Sequence, residues 1–322
     1  MWSSLLQLLG GGILLYFGAE WLVGGSSRLA LALRIPKLAV GLTIVAYGTS
    51  APEVVVSVEA AAAGQGAVAL GNVVGSNIAN LGLILGIATL VRPAVVAGEL
   101  RKRELPVLAA TTLGLVAILL DGVVSWVEAV ALVGGAIVYT VVALRGAPAS
   151  DALAEAEAAA VGTAEAVEAA GAPHAESRWK LAMIAGVGLV VLLVGGQLFV
   201  GGATDLARTL GMSERVVGLT IVAVGTSLPE LVTSLIAAFR GNSDIAVGNV
   251  VGSNIFNVLG CLGLAGFAGA MHVDPRAIVF DLGVLGAVTA LALVFLRTAR
   301  TVRRWEGGLL LGAYVAFLIA LV

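Results

Sequence analysis

Apolar residues run along this chain in blocks of about 20, the length a helix needs to cross a hydrocarbon core of roughly 30 Å. Ten blocks are predicted as membrane spans, at approximately 3–24, 37–63, 67–91, 104–122, 125–145, 179–204, 213–239, 243–270, 276–297 and 304–322. Five precede the one long polar stretch and five follow it. The expected fold class is an all-α polytopic membrane protein of ten transmembrane helices.

The polar stretch, about 146–178, reads GAPASDALAEAEAAAVGTAEAVEAAGAPHAES. Alanine and glutamate dominate it and Pro and Gly mark its edges, which is the composition of a solvated linker with at most a short helix. Its six carboxylates lack the alternating D-x-D spacing of a calcium-binding loop. The expected organisation is a first unit at 1–145, the linker at 146–178 and a second unit at 179–322. The opening MWSSLLQLLGGG has neither a basic n-region nor a small-residue cleavage signal, so the first block is expected to remain as a span.

Composition agrees with a life in the bilayer: 59% of the 322 residues are hydrophobic, 12% are charged, and mean hydropathy is +1.05. The single cysteine, Cys261, excludes an intrachain disulfide. Lys and Arg favour the cytoplasmic ends of spans. With the N-terminus outside, fifteen of the eighteen basic residues fall on the inner side, and only Arg208, Arg215 and Arg276 remain outside. That asymmetry predicts an even span number, both termini outside and a cytoplasmic acidic linker. Nothing in the sequence points to nucleic acid or to an obligate protein partner; the lipid bilayer is the expected surrounding.

A repeat sharpens the picture. GLTIVAYGTSAPEVVVSVEAAAAGQGAVALGNVVGSNIANLGLILG (41–86) returns as GLTIVAVGTSLPELVTSLIAAFRGNSDIAVGNVVGSNIFNVLGCLG (218–263), 177 residues later and identical at 28 of 46 positions. The same offset matches Val23-Gly24-Gly25 with Val200-Gly201-Gly202, and Glu104 with Asp281. The duplicated unit is therefore the whole five-span half. Because five is odd, the second copy enters the membrane from the opposite face, as an inverted repeat with its substrate site at the repeat interface.

Inside the repeat lies GTSxPE. Pro52 and Pro229 lack an N–H and conflict with the carbonyl four residues back, so the helix opens there and frees backbone oxygens. Such openings at membrane depth need a cavity or another partner. Thr49 and Glu53 share one helix face, as do Thr226 and Glu230, Ser76 and Asn80, and Ser253 and Asn257, each spaced i, i+4. Gly71 and Gly75, with Gly248 and Gly252, form small-xxx-small ridges that permit close helix approach. Each neutral feature alone is compatible with plain helix packing. The glutamates are not: an ionisable group at the bilayer centre costs at least about 2.5–3.5 kcal/mol. Two of them, with no basic residue in the interiors of those four spans, imply a cation.

Carboxylate, amide, hydroxyl and carbonyl oxygens suit a hard cation: Ca²⁺, Na⁺, Mg²⁺ or Mn²⁺. His174 falls in the linker and His272 at a span end, away from the motifs. Several flexible oxygens favour Ca²⁺, which accepts about 6–8 ligands, over Mg²⁺ with its tight octahedron. Two carboxylates balance its two charges. Once Ca²⁺ leaves, they face each other in low dielectric unless other cations take its place, a physical reason for exchange rather than one-way transport.

At these residues the sequence resembles the cation/Ca²⁺ exchanger superfamily, whose two alpha-repeats carry G-T-S-x-P-E and G-N-x-x-G-S-N-I. The resemblance covers essentially the full chain. It implies that Glu53 and Glu230 bind Ca²⁺ and also Na⁺, and that Thr49, Ser50, Ser76, Thr226, Ser227 and Ser253 supply hydroxyl or carbonyl oxygens. The carbonyls of Ala46 and Ala223 would complete sodium sites, and spans 1 and 6 would slide to open the site to alternate sides. Some sodium/calcium exchangers have an Asp where Asn257 stands; here Asn80 and Asn257 make the centre symmetric. The function expected is Ca²⁺/Na⁺ antiport by alternating access, with transported ions and no cofactor. The alternatives are a proton/Ca²⁺ antiporter, a calcium channel, and a membrane-embedded diacid hydrolase. Among the other acids, Glu20 is placed opposite Gln197, in an aqueous passage or a buried hydrogen bond. Glu59 is placed at a vestibule or boundary, and Glu104 and Asp281 are read as capping or structural pairing.

Overall fold

The computed structural model describes residues 2–33, 35–145, 177–211, 223–273, 275–298 and 301–321. The expected linker lies outside the described residues apart from Ser177 and Arg178. Helices dominate because a chain in hydrocarbon must pair its backbone polar groups within the segment. The first half contains α1 (Trp2–Leu33), α2 (Lys37–Thr49), α3 (Ala51–Ala62), α4 (Gly66–Val91), α5 (Leu105–Ile118) and α6 (Trp126–Arg145). The second contains α7 (Arg178–Thr209), α8 (Ala223–Gly225), α9 (Leu228–Phe239), α10 (Ser243–Ala268), α11 (Pro275–Thr298) and α12 (Arg304–Leu321).

Seven of these helices are long and apolar enough to cross a bilayer, and the pair α2–α3, bent by 47°, makes an eighth. Two predicted spans do not stand as long helices. The block at 104–122 becomes the 14-residue α5, entered through a wide π turn at Leu100–Glu104. The block at 213–239 starts outside the described residues and continues as α8 and α9, interrupted before Leu228. Two helices also outrun their apolar blocks. α1 continues to Leu33 because Ser26 and Ser27 are buried against the bundle, so polar side chains there extend a packed face.

α4 and α10 form the centre: 78% of each apolar window is buried, against a third or less in α1, α6, α7, α11 and α12. The halves interleave rather than sit side by side. α10 packs along α2, its C-terminal part packs on α3, and the C-terminal part of α4 packs on α9 and α12. Gly252 makes this possible, since a Cβ there would lie 2.4 Å from the Leu42 carbonyl oxygen; Gly248 meets the same stretch. Among the described residues, a Cβ on Gly71 or Gly75 would meet nothing within 4 Å. Two short antiparallel strand pairs also cross between halves: Ala94–Val95 with Thr301–Val302, and Val123–Val124 with Met271–His272.

α1 and α7 lie antiparallel against one another. Their contact runs through glycines seven apart, Gly11, Gly18 and Gly25 on α1 and Gly188, Gly195 and Gly202 on α7, each pair related by the 177-residue offset. A seven-residue spacing returns nearly to the same helix face, so each row is a strip of bare backbone. A Cβ on Gly18 would lie 2.4 Å from the Leu192 amide nitrogen, and one on Gly188 2.5 Å from that of Leu22. The partner atoms are backbone, so only a shift of a whole helix relieves the clash.

Gly18→Ala or Gly188→Ala is therefore expected to cost about 1–3 kcal/mol, the usual range for overpacking, and to lower the melting temperature of the purified protein. Gly24→Ala, where a Cβ meets nothing within 4 Å, is expected to leave the melting temperature unchanged in the same thermal scan.

Candidate cation site

The α2–α3 break occurs at Ser50, whose φ and ψ of −79° and 8° leave the helical region, and the equivalent Ser227 has −89° and 8°. Pro52 and Pro229 sit in the first turn of α3 and α9, where a missing N–H leaves no bond unmade. Glu53 and Glu230 fall in the same first turns. The helix dipole favours a carboxylate there, while the C-terminal end of α2 turns carbonyl oxygens toward the same region.

At the break the halves join through their side chains. Ser50 Oγ donates to Glu230 Oε1 at 2.8 Å, and Ser227 Oγ donates to Glu53 Oε1 at 3.0 Å. Each serine serves the opposite repeat's glutamate, so both carboxylates are held in one centre. They are 1% and 0% exposed. Their second oxygens, both Oε2 atoms, have no hydrogen-bond partner. A buried carboxylate oxygen left open is costly unless something else binds it.

Neutral oxygens surround the pair. Thr49 Oγ1 lies 3.2 Å from both the Ala46 carbonyl and Asn249 Oδ1, either of which can accept its one proton, and Ser253 Oγ reaches the same carbonyl at 3.4 Å. Asn80 and Asn257 are buried where wide π turns begin, at Asn80–Ile84 in α4 and Asn257–Cys261 in α10. Such turns misalign the backbone ladder and recur at functional sites. Asn257 Nδ2 donates to Asn77 Oδ1 at 3.2 Å, leaving Asn257 Oδ1 open, and both amide atoms of Asn80 are open. Ser76 is buried on α4. Thr226 is half-buried with its Oγ1 unpartnered, and Ala223 is described only as the first residue of α8.

The expected residues thus collect on the broken helices and on α4 and α10. Sequence reasoning missed two that brace them. Asn72 Nδ2 donates to the Glu53 carbonyl at 3.1 Å and to Ser57 Oγ at 2.9 Å. Asn249 Nδ2 repeats this with the Glu230 carbonyl at 3.4 Å and Ser234 Oγ at 3.0 Å. The signal was present, an asparagine at the same place in both copies of an apolar span, but its partners lie 15 and 19 residues away.

One of the other acids stands differently from expectation. Glu20 pairs with Arg240 at the end of α9, not with Gln197; sequence symmetry placed it opposite its repeat mate, whereas helix packing places it opposite a cation. Glu104 begins α5 without a side-chain capping bond. Asp281 lies half-buried along α11, and Glu59 is exposed on α3. A cavity of about 380 Å³ lies between α3 and α7, lined by Pro52, Val56, Gln197, Thr226 and Pro229 among others. Among the described residues, no cluster of three or more His, Cys, Asp or Glu accompanies the two glutamates. The remaining donors are neutral oxygens, a set that fits a hard cation.

Comparisons with known proteins agree. The family model described as "Sodium/calcium exchanger protein" matches residues 3–145 and 180–322. The chain is 38% identical to the "Putative antiporter CaxA" of Alkalimonas amylolytica, over 98% of both chains. It is 31% identical to the "Sodium/calcium exchanger MaX1" of Methanosarcina acetivorans, over 99% of this chain and 98% of that one. A solved structure of the sodium-calcium exchanger NCX_Mj, soaked with 10 mM Na⁺ and zero Ca²⁺, superposes with a TM-score of 0.84 at 30% identity, over 99% of each chain.

Asn249 holds both the Glu230 backbone and the Thr49 hydroxyl. Asn249→Leu, close in volume but unable to bond, is expected to weaken Ca²⁺ binding about tenfold or more, as loss of a supporting ligand contact does. Calorimetric titration of purified protein checks this; unchanged affinity would show that the brace does not reach the site.

Proposed function

The chain belongs to the sodium/calcium exchanger protein family, and from that premise and the crossed Ser–Glu centre we infer that it is an antiporter exchanging Ca²⁺ for Na⁺ across the membrane. The observation that carries the reading is the pair of buried carboxylates, each held by the other repeat's serine, with both outward oxygens open. In this reading the ions are the cargo. Ca²⁺ takes the open oxygens of Glu53 and Glu230 with neutral oxygens from Thr49, Ser50, Ser76, Asn80, Thr226, Ser227, Ser253 and Asn257. Na⁺ uses the same carboxylates together with the Ala46 and Ala223 carbonyls. Two carboxylates cannot both stay bare in low dielectric, so release of one cation is coupled to capture of another.

The architecture proposed is ten spans in two inverted five-span units, 1–145 and 179–322, joined by the linker at 146–178. The bent α2–α3 span, the interrupted α8–α9 and the reciprocal strand pairs support it. Basic residues gather at one end of the bundle. Arg92 Nη1 lies 3.5 Å from the Phe239 carbonyl, Arg103 Nη2 2.9 Å from that of Val142, and Arg304 Nη2 3.4 Å from that of Val91. We place this end, with the linker, in the cytoplasm and both termini outside. The cavity between α3 and α7 then opens outward. Sliding of the α1/α7 pair, held together through its glycine strips, would close that cavity and open a matching one inward.

Two tests follow, both by calcium uptake into proteoliposomes. Glu53→Gln or Glu230→Gln removes charge with little change of volume and is expected to abolish Na⁺-driven uptake in correctly inserted protein; uptake at the parent's rate would remove the glutamates from the site. Thr49→Val with Thr226→Val keeps shape and deletes hydroxyl oxygens. It is expected to reduce Na⁺-driven uptake much more than Ca²⁺–Ca²⁺ self-exchange, and equal loss in both modes would argue against sodium cages at those threonines.

A further inference from the structure

The two halves are related by sequence but not held alike. α1 packs firmly along α9, whereas the symmetry-equivalent contact, α7 along α3, is nearly missing, and the cavity of about 380 Å³ lies in its place. Where α1 meets α9, Glu20 forms an ion pair with Arg240. The loop after α9 adds to the junction: Asn242 Oδ1 accepts from Ser27 Oγ at 3.4 Å and from Lys37 Nζ at 3.3 Å. Displacing Glu20 and Arg240 by the repeat offset gives Gln197 and Ala63. At the cavity end, therefore, the equivalent positions carry an amide and a methyl, and no ion pair can form between those two when α7 closes on α3.

We propose that the Glu20–Arg240 pair is a latch on the α1/α7 unit, one that must break before the site opens to the linker end and that biases the carrier toward the state with the α3/α7 cavity open. The geometry supplies the logic. Identical halves would give the two facing states equal energies, so any preference has to come from places where the copies differ. A cation and an anion on the two sliding surfaces, present at one end alone, is such a place. Glu20 is only 22% exposed, while Arg240 is 57% exposed. Separation would leave the glutamate partly buried without its cation, and water reaches the arginine more easily. The pair is a positioning device: it touches no transported ion and acts through the helix that carries it. The proposal rests on the alternating-access reading above, yet its test requires no transport.

The test is thiol accessibility of the cavity. In a Cys261→Ala background, Val56→Cys puts one thiol on the cavity wall, and a membrane-impermeant maleimide added from the cavity side in ion-free buffer labels it at a rate set by the open population. Glu20→Gln and Arg240→Gln are each expected to slow labelling about two- to fivefold, the scale of one part-exposed ion pair. The exchanged pair, Glu20→Arg with Arg240→Glu, is expected to restore the parent rate, which a merely structural role for either residue would not do. Gln197→Glu with Ala63→Arg builds the missing pair at the other end and is expected to slow labelling as well, in a protein whose original latch is intact. Parent-like labelling in both single variants, or an exchanged pair as slow as the singles, overturns the proposal. If the single variants fail to fold, the added pair decides: labelling at the parent rate overturns the latch. Loss of Ca²⁺ exchange in Glu53→Gln bears on the function alone, so the two failures are distinguishable.

Discussion

Two hydrogen bonds hold this molecule's chemistry together. Ser50 reaches Glu230 and Ser227 reaches Glu53, so neither half of the chain can complete its own carboxylate environment. That reciprocity explains much of the fold. The breaks at Ser50 and Ser227 turn the serines inward, and the prolines that follow allow new helices to start with the glutamates in their first turns. Glycine on α10 brings it against α2 at backbone distance, so the two broken spans and the two central spans share one buried centre. In the proposed function, the open carboxylate oxygens in that centre take the cargo. Their mutual repulsion gives exchange its thermodynamic basis.

Around this shared centre the halves are free to differ. The centre itself is close to symmetric, with Asn72 and Asn249 making the same two bonds in each copy. Asymmetry grows with distance from it. Thr49 is fully partnered while Thr226 Oγ1 is open beside the cavity, and α1 is closed onto α9 while α7 stands away from α3. The glycine strips of α1 and α7 suit this division of labour. Backbone-to-backbone packing along these strips ties α1 and α7 into one tight pair, the unit that the proposed mechanism moves against the rest of the bundle.

Much of this was legible in the sequence. The 177-residue repeat, the GTSxPE breaks and the intramembrane glutamates each carry a strong local signal, and the structure brings those glutamates and serines together. Helix packing was less legible. Asn72 and Asn249 stood in the repeat as identical polar residues, but nothing local says that they bind the backbone of a span 19 residues earlier. The π turns at Asn80 and Asn257 leave no hydropathy signal, because a wide turn needs no change of residue class. Glu20 was misplaced by following the repeat: symmetry predicts equivalents facing each other, whereas the packing of α1 on α9 makes Arg240 its neighbour. Local breaks were hidden in the same way: α5 is entered through a π turn and α9 is preceded by a break at Ser227, neither of which an apolar block reveals.

The central claim is that one pair of shared carboxylates binds both ions in turn. Equilibrium binding of radiolabelled calcium to the purified protein, titrated with Na⁺ at constant ionic strength, tests it most directly. A single shared centre predicts that Na⁺ displaces bound Ca²⁺ completely and with a Hill coefficient above one, since more than one Na⁺ is needed to match its charge. Calcium that stays bound at saturating Na⁺ would contradict it.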